Sequence, residues 1–99
     1  MIVELTAAAE ADLEAIGDYI TQDNPIRALS FVRELFRSCT ELADMPEAWP
    51  LVPRYESHGV RRRVHGRYLI FFRVEADRTV VLHVLNGAMD IEAILFPNG

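Results

Sequence analysis

The chain predicts an α+β fold, with an N-terminal strand, an α-helical hairpin and then an antiparallel-rich sheet, in the order β-α-α-β-β-β. Three observations lead there. Two stretches with apolar residues at helical spacing are separated by a few residues around Asn24 and Pro25, which joins them as an antiparallel hairpin. Residues 59–74, GVRRRVHGRYLIFFRV, run a half-polar strand through a tight turn at Gly66 into a strand apolar on both faces. A further apolar run, residues 80–85, follows a short turn of Ala76, Asp77 and Arg78.

Residues 2–5 read as a brief strand, and Thr6 as the N-cap of an Ala-rich helix reaching about residue 22, with Leu13, Ile16 and Ile20 as its buried stripe. Asn24 followed by Pro25 starts a second helix, along which Leu29, Val32, Leu35, Phe36, Cys39 and Leu42 recur at helical spacing. Pro46, Pro50 and Pro53 surround Trp49, stop that helix and make an ordered crossover. Strands are expected at about residues 60–65, 68–75 and 79–86. In the first of these, Val60, Arg62 and Val64 fall on one face and Arg61, Arg63 and His65 on the other, so that strand is at most half buried. The next carries aromatic and β-branched residues in both alternating sets, which suits the middle of a sheet. Residues 91–96 are compatible with a strand or a turn.

Ninety-nine residues suit a single domain spanning 1–99, whose folding buries somewhat above ~60% of the unfolded chain's surface. With one cysteine, no signal peptide and no apolar run approaching a membrane span, the chain is expected to be cytoplasmic. Its charge is unevenly spread. Residues 1–26 hold six acids and no base, whereas residues 54–78 hold seven arginines against three acids. All ten basic residues are arginine, which binds carboxylate or phosphate bidentately. At a net charge of −5 the chain is a poor general nucleic-acid binder unless those arginines converge. Glu10, Glu14 and Asp18 form an acidic ridge along the first helix, and Arg61, Arg62 and Arg63 either pair with it or face a partner. Trp49 reads as a cap on the core and Cys39 as an inert core thiol. His58 and His65 lack further ligands at metal spacing, so neither a metal nor a cofactor is expected.

Several of these segments, taken in order, resemble the ParE toxins of the RelE/ParE superfamily. They are Leu5-Thr6 with Ala9-Glu10-Ala11-Asp12-Leu13, Ile16 and Asp18-Tyr19-Ile20; Asn24-Pro25 with Ala28; Leu42-Ala43 with Pro46; Gly59-Val60-Arg61-Arg62; Gly66-Arg67-Tyr68-Leu69-Ile70-Phe71-Phe72-Arg73-Val74; and Val84-Leu85 with Gly87-Ala88 and Asp90. The resemblance implies a toxin of a bacterial type II toxin-antitoxin system, neutralised by a ParD-like antitoxin and acting by binding and inhibiting DNA gyrase rather than by catalysis. Family members commonly carry His where this chain has Asn86 and Arg where it has Met89. On this reading, an apolar groove between hairpin and sheet, edged by Leu13, Ile16, Tyr19, Leu29 and Val32, is expected to take the antitoxin. Arg61, Arg63, Arg67, Asn86, Met89 and Asp90 are the candidates for target contact.

Two alternatives follow from the same residues. A RelE-like ribosome-dependent messenger RNA endonuclease needs groups that activate the ribose hydroxyl and stabilise the transition state, for which Arg61, Arg63, Arg73 and His83 are the candidates, with Arg73 joining the other two from the neighbouring strand. His83, inside an apolar run, also reads as a hydrogen-bonded core residue. An atoxic homologue that only forms a complex with its antitoxin is the third reading, and the Asn86 and Met89 departures are what permit it.

Overall fold

The computed structural model describes residues 2–99. Strand β1 (Ile2–Leu5) leads into α1 (Ala7–Thr21) and α2 (Pro25–Thr40). Three 3-10 turns, Glu41–Ala43, Pro46–Ala48 and Glu56–His58, carry the chain to β2 (Val60–His65), β3 (Tyr68–Val74), β4 (Arg78–Asn86) and a short α3 (Ile91–Leu95). The fold is the expected α+β arrangement, and residues 91–96, open between strand and turn, contain that helix.

Both long helices start as the sequence indicates. Thr6 Oγ1 accepts from the Ala9 N–H at 3.1 Å and Asn24 Oδ1 from the Arg27 N–H at 3.0 Å, with Pro25 occupying the first helical position of α2. The helices touch at Gly17, where a Cβ would lie 3.2 Å from Val32 Cγ2, so the absence of a side chain there sets how closely they pack.

The sheet has the order β1-β4-β3-β2, with β2, β3 and β4 antiparallel and β1 parallel to β4. A two-residue loop between His65 and Tyr68 turns β2 into β3, and Gly66 takes its positive-φ corner (φ 60°). Strand β3 is interior and apolar on both sides because both sides are covered. Ile70 and Phe72 meet the helical hairpin in a cluster with Leu13, Ile16, Leu35, Cys39 and Leu42. Phe71 faces the opposite way, into a smaller cluster with Val52, Val60, Leu85 and Phe96. The hairpin therefore covers one face, and the crossover and α3 cover the other.

The ladder between β3 and β4 is irregular at one point. Phe71 pairs with His83 and Phe72 with Val81, so Leu82 and His83 share one partner and β4 bulges. The bulge begins where β1 ends, since Leu5 pairs with Val81. The start of α1 satisfies the strand there. The Thr6 N–H donates to the Val81 carbonyl at 3.0 Å and Thr6 Oγ1 to the Leu82 carbonyl at 2.9 Å. One Asp12 carboxylate oxygen accepts from the Val84 N–H at 2.9 Å and from His83 Nδ1 at 2.8 Å.

Asp12→Ala is expected to cost about 2–4 kcal/mol, because it leaves a partly buried N–H and an imidazole without their acceptor, whereas Asp12→Asn, which keeps an acceptor oxygen, costs less. Urea unfolding curves check this. A second outcome concerns pH. Burial pushes the Cys39 thiol from its ordinary 9.0 up to about 11. The folded protein then keeps a proton that the unfolded chain releases, so this contribution is fully present below pH 9.0 and lost as pH rises through about 11. The loss amounts to about 2–3 kcal/mol, read as the difference between the wild-type chain and Cys39→Ala across that range.

Candidate functional site

The five residues expected to edge one groove are divided by the structure between two. Space between hairpin and sheet is filled by core, and Leu13 and Ile16 belong to that core at 7% and 8% exposure. What remains open lies to either side of α1. One groove, of about 290 Å³, runs between α1 and the end of β4 and is walled by Ile16, Tyr19, Tyr68, Val84, Asn86 and Met89, with Asp12 at its rim. The other is a shallow furrow on the outer side of the hairpin, where Leu13, Leu29 and Val32 line the seam beside Glu14 and Asp18. A single groove does not form, because α1 carries Tyr19 and Leu13 on different faces.

Large apolar side chains stand exposed at both places: Tyr19 (68%) and Met89 (49%) at the first, Leu29 (56%) at the second. Strand β1 stops at the Val81 register, so from Leu82 onward the outer edge of β4 has no strand beside it. Thr6 and Asp12 occupy part of that edge.

Four of the target-contact candidates gather at one end of the sheet. Arg67 sits in the β2–β3 turn, and its carbonyl accepts from the Gly87 N–H at 2.9 Å, which ties that turn to the end of β4. Asn86 pairs with Tyr68 and turns its Oδ1 to the Ala88 N–H at 2.9 Å, organising the loop that presents Met89. Asp90 caps α3, its Oδ1 accepting from the Ala93 N–H at 3.4 Å.

Arg61 and Arg63 lie elsewhere and are engaged in the fold. Arg61 donates to the carbonyls of Glu47 at 3.2 Å and Trp49 at 2.7 Å. Arg63 donates to the Ser38 carbonyl at 2.9 Å, pairs with Glu41 at 3.0 Å and lies 4.9 Å over the Trp49 ring. Pairing with the acidic ridge of α1 does not occur. Among the described residues Glu10, Glu14 and Asp18 make no ion pair, and Arg61 and Arg63 turn instead to the Pro-rich crossover and the end of α2. Trp49 is half buried against the hairpin-side core, as a cap on it.

The endonuclease candidates do not converge either: Arg73 does not join Arg61 and Arg63, for a reason of register, and His83 lies apart from them as well. Arg61 and Arg63 pair with Phe72 and Ile70, which point to the hairpin side. Arg73 pairs with Val60 and His83 with Phe71, both in the cluster on the other face. Arg73 and His83 do meet each other, in a separate cleft near α3. Among the described residues no group of three His, Cys, Asp or Glu side chains is placed to hold a metal ion, and no helix is long and apolar enough to cross a membrane.

The family profile described as ParE toxin of type II toxin-antitoxin system, parDE, matches residues 3–91. The chain belongs to the ParE toxin family. It is similar to a solved chain of the chromosomal ParDE toxin-antitoxin system from Pseudomonas aeruginosa, at 26% identity and a TM-score of 0.76, over 87% of this chain and 95% of that one. Similarity of fold extends to the toxin-antitoxin complex RelBE2 from Mycobacterium tuberculosis, at 20% identity and a TM-score of 0.64, over 86% of this chain and 88% of that one. Comparison with curated protein sequences returned no match.

In this ParE-family toxin, sequence reasoning missed three contributors: Tyr68 as a wall of the α1–β4 groove, Asp12 at its rim, and His58 beside Arg73 and His83. The first depends on the pairing of Tyr68 with Asn86, and the other two on the bulge and on a 3-10 turn, none of which leaves a local pattern. Because Arg63 is held by a carbonyl, a carboxylate and a ring, Arg63→Ala is expected to destabilise the fold by about 1–3 kcal/mol. Arg62→Ala, one residue away on the other face and in no ion pair among the described residues, should stay within about 0.5 kcal/mol. Thermal or urea unfolding of the two variants makes the comparison.

Proposed function

We propose that this ParE-family toxin acts by binding DNA gyrase, and that a ParD-like antitoxin silences it by seating an apolar segment in the α1–β4 groove. The observation that carries the reading is a shared wall. Asn86 and Met89, candidates for target contact, line the same groove as Ile16 and Tyr19, candidates for antitoxin contact. One occupant of that groove therefore covers the corner that a target would meet, and neutralisation needs no change in the fold.

The local geometry favours a helix over an added strand as that occupant. Thr6 and Asp12 already engage the β4 edge at Leu82 and Val84, so an incoming strand would find those groups taken, whereas an amphipathic helix needs only the apolar wall. Tyr19 and Met89, large and exposed, are its anchors. Leu13, Leu29 and Val32 then serve a longer antitoxin segment that crosses α1 to the hairpin furrow. Relatives solved as toxin-antitoxin systems support an antitoxin partner. An endonuclease finds less support, because Arg61 and Arg63 stand across the sheet from Arg73 and His83 and are engaged by carbonyls of the fold and by Glu41.

Purified protein is expected to inhibit gyrase supercoiling and to leave messenger intact in a translation reaction, and its expression without antitoxin to arrest growth. Met89→Glu should weaken the gyrase effect, and Tyr19→Arg should weaken antitoxin capture by about tenfold or more, both without loss of fold. Ribosome-dependent cuts in the messenger would overturn the gyrase reading, and growth indifferent to expression would favour an atoxic complex-forming role.

A further inference from the structure

On the face of the sheet away from the helical hairpin, a cleft of about 310 Å³ opens between the start of α1, strands β3 and β4, and α3. Its walls include Thr6, Ala8, His58, Arg73, His83 and Phe96, and no carboxylate is among the side chains that line it. The two grooves on the other sides of α1, by contrast, carry Asp12 or Glu14 and Asp18. We infer that this cleft is an anion site and that it takes a phosphate group.

Each of the three basic side chains is held in place with a nitrogen left unengaged. Arg73 runs beside Gly59, with its Cδ 3.9 Å from where a Cβ would stand. Among the described residues its one ion pair is long, 3.9 Å from Nε to Glu75, too far to be a hydrogen bond and so leaving the guanidinium fork unspent. His58 rests against the Phe96 ring at 4.8 Å, and Phe96 is itself stacked on Tyr55 at 4.0 Å. His83 donates from Nδ1 to Asp12, so Nε2 is the nitrogen left for the cleft, and it donates to an oxyanion when the ring carries both protons.

The nearest acid on α3 is already engaged. Glu92 accepts from Tyr55 Oη at 3.1 Å and pairs with Arg54. The partial positive charge at the start of α1 adds to the field of these side chains but does not by itself make the site. A guanidinium fork with two imidazoles around a small cleft suits a tetrahedral oxyanion, and the volume admits a phosphate with a small substituent. Two sources share that chemistry: a terminal phosphomonoester, or a phosphodiester of a nucleic-acid strand.

The test follows histidine ring signals by NMR in the intact chain at constant ionic strength, with inorganic phosphate and dimethyl phosphate as probes and chloride as the reference. The expected result is saturable movement of the His58 and His83 signals while His65 stays put, since His65 is hydrogen-bonded to Ser38 on the opposite face. Arg73→Gln should weaken phosphate binding about tenfold or more, the loss of a charge-assisted contact, and Arg37→Gln, on α2, should leave it unchanged. Arg73 is half exposed, so its variant should fold, which circular dichroism checks. Equal response to both probes assigns the site to a phosphodiester, and response to inorganic phosphate alone assigns it to a monoester. No saturable movement, or equal weakening in Arg37→Gln and Arg73→Gln, would sink the inference.

Discussion

One carboxylate joins the two halves of this molecule. Asp12 lies on α1, near the beginning of the chain, and accepts from the backbone of Val84 and the ring of His83, in the last strand. Without it, the β4 bulge would leave an N–H directed at a helix with nothing to receive it. With it, the bulge becomes the point where the helical layer is pinned to the sheet. Both openings that flank the bulge depend on that pin: the α1–β4 groove has Asp12 at its rim, and the phosphate cleft has His83 in its wall.

The arrangement also explains how a small acidic chain handles so many arginines. On the hairpin side, Arg61 and Arg63 are spent on carbonyls left over by the Pro-rich crossover and the end of α2. Each such carbonyl would otherwise face a half-buried environment unpaired, and an arginine with several donors serves more than one of them. Arg73, in the alternate set of the neighbouring strand, escapes that work and faces the cleft near α3. Register alone separates structural arginine from available arginine.

Much of this was legible in the sequence. The caps at Thr6 and Asn24, the interior placement of β3 and the helical hairpin follow from local chemistry and periodicity, and these are strong where a segment is long and patterned. Legibility stopped where the outcome turned on which strand lies beside which. The parallel seat of β1 on β4, the separation of Arg73 from Arg61 and Arg63, and the splitting of the expected groove around Leu13 and Tyr19 are relations between distant segments. A bulge adds one residue to a ladder and reverses the alternation beyond it, so the environment of His83 was not to be had from its neighbours in sequence. Residues 91–96 were too few to show a period.

The seat of β1 has a further consequence, for the order in which the molecule can be built. Thr6 bonds to Leu82 across 76 positions, and Asp12 to His83 across 71. The hairpin helices are local and can form early, but the surface that buries their apolar stripe is not complete until β4 has been synthesised. For most of its birth on the ribosome the chain therefore carries an amphipathic hairpin with nothing to lie on. That interval, set by topology rather than by any single residue, is when aggregation is most costly and when an early-binding companion has most to gain.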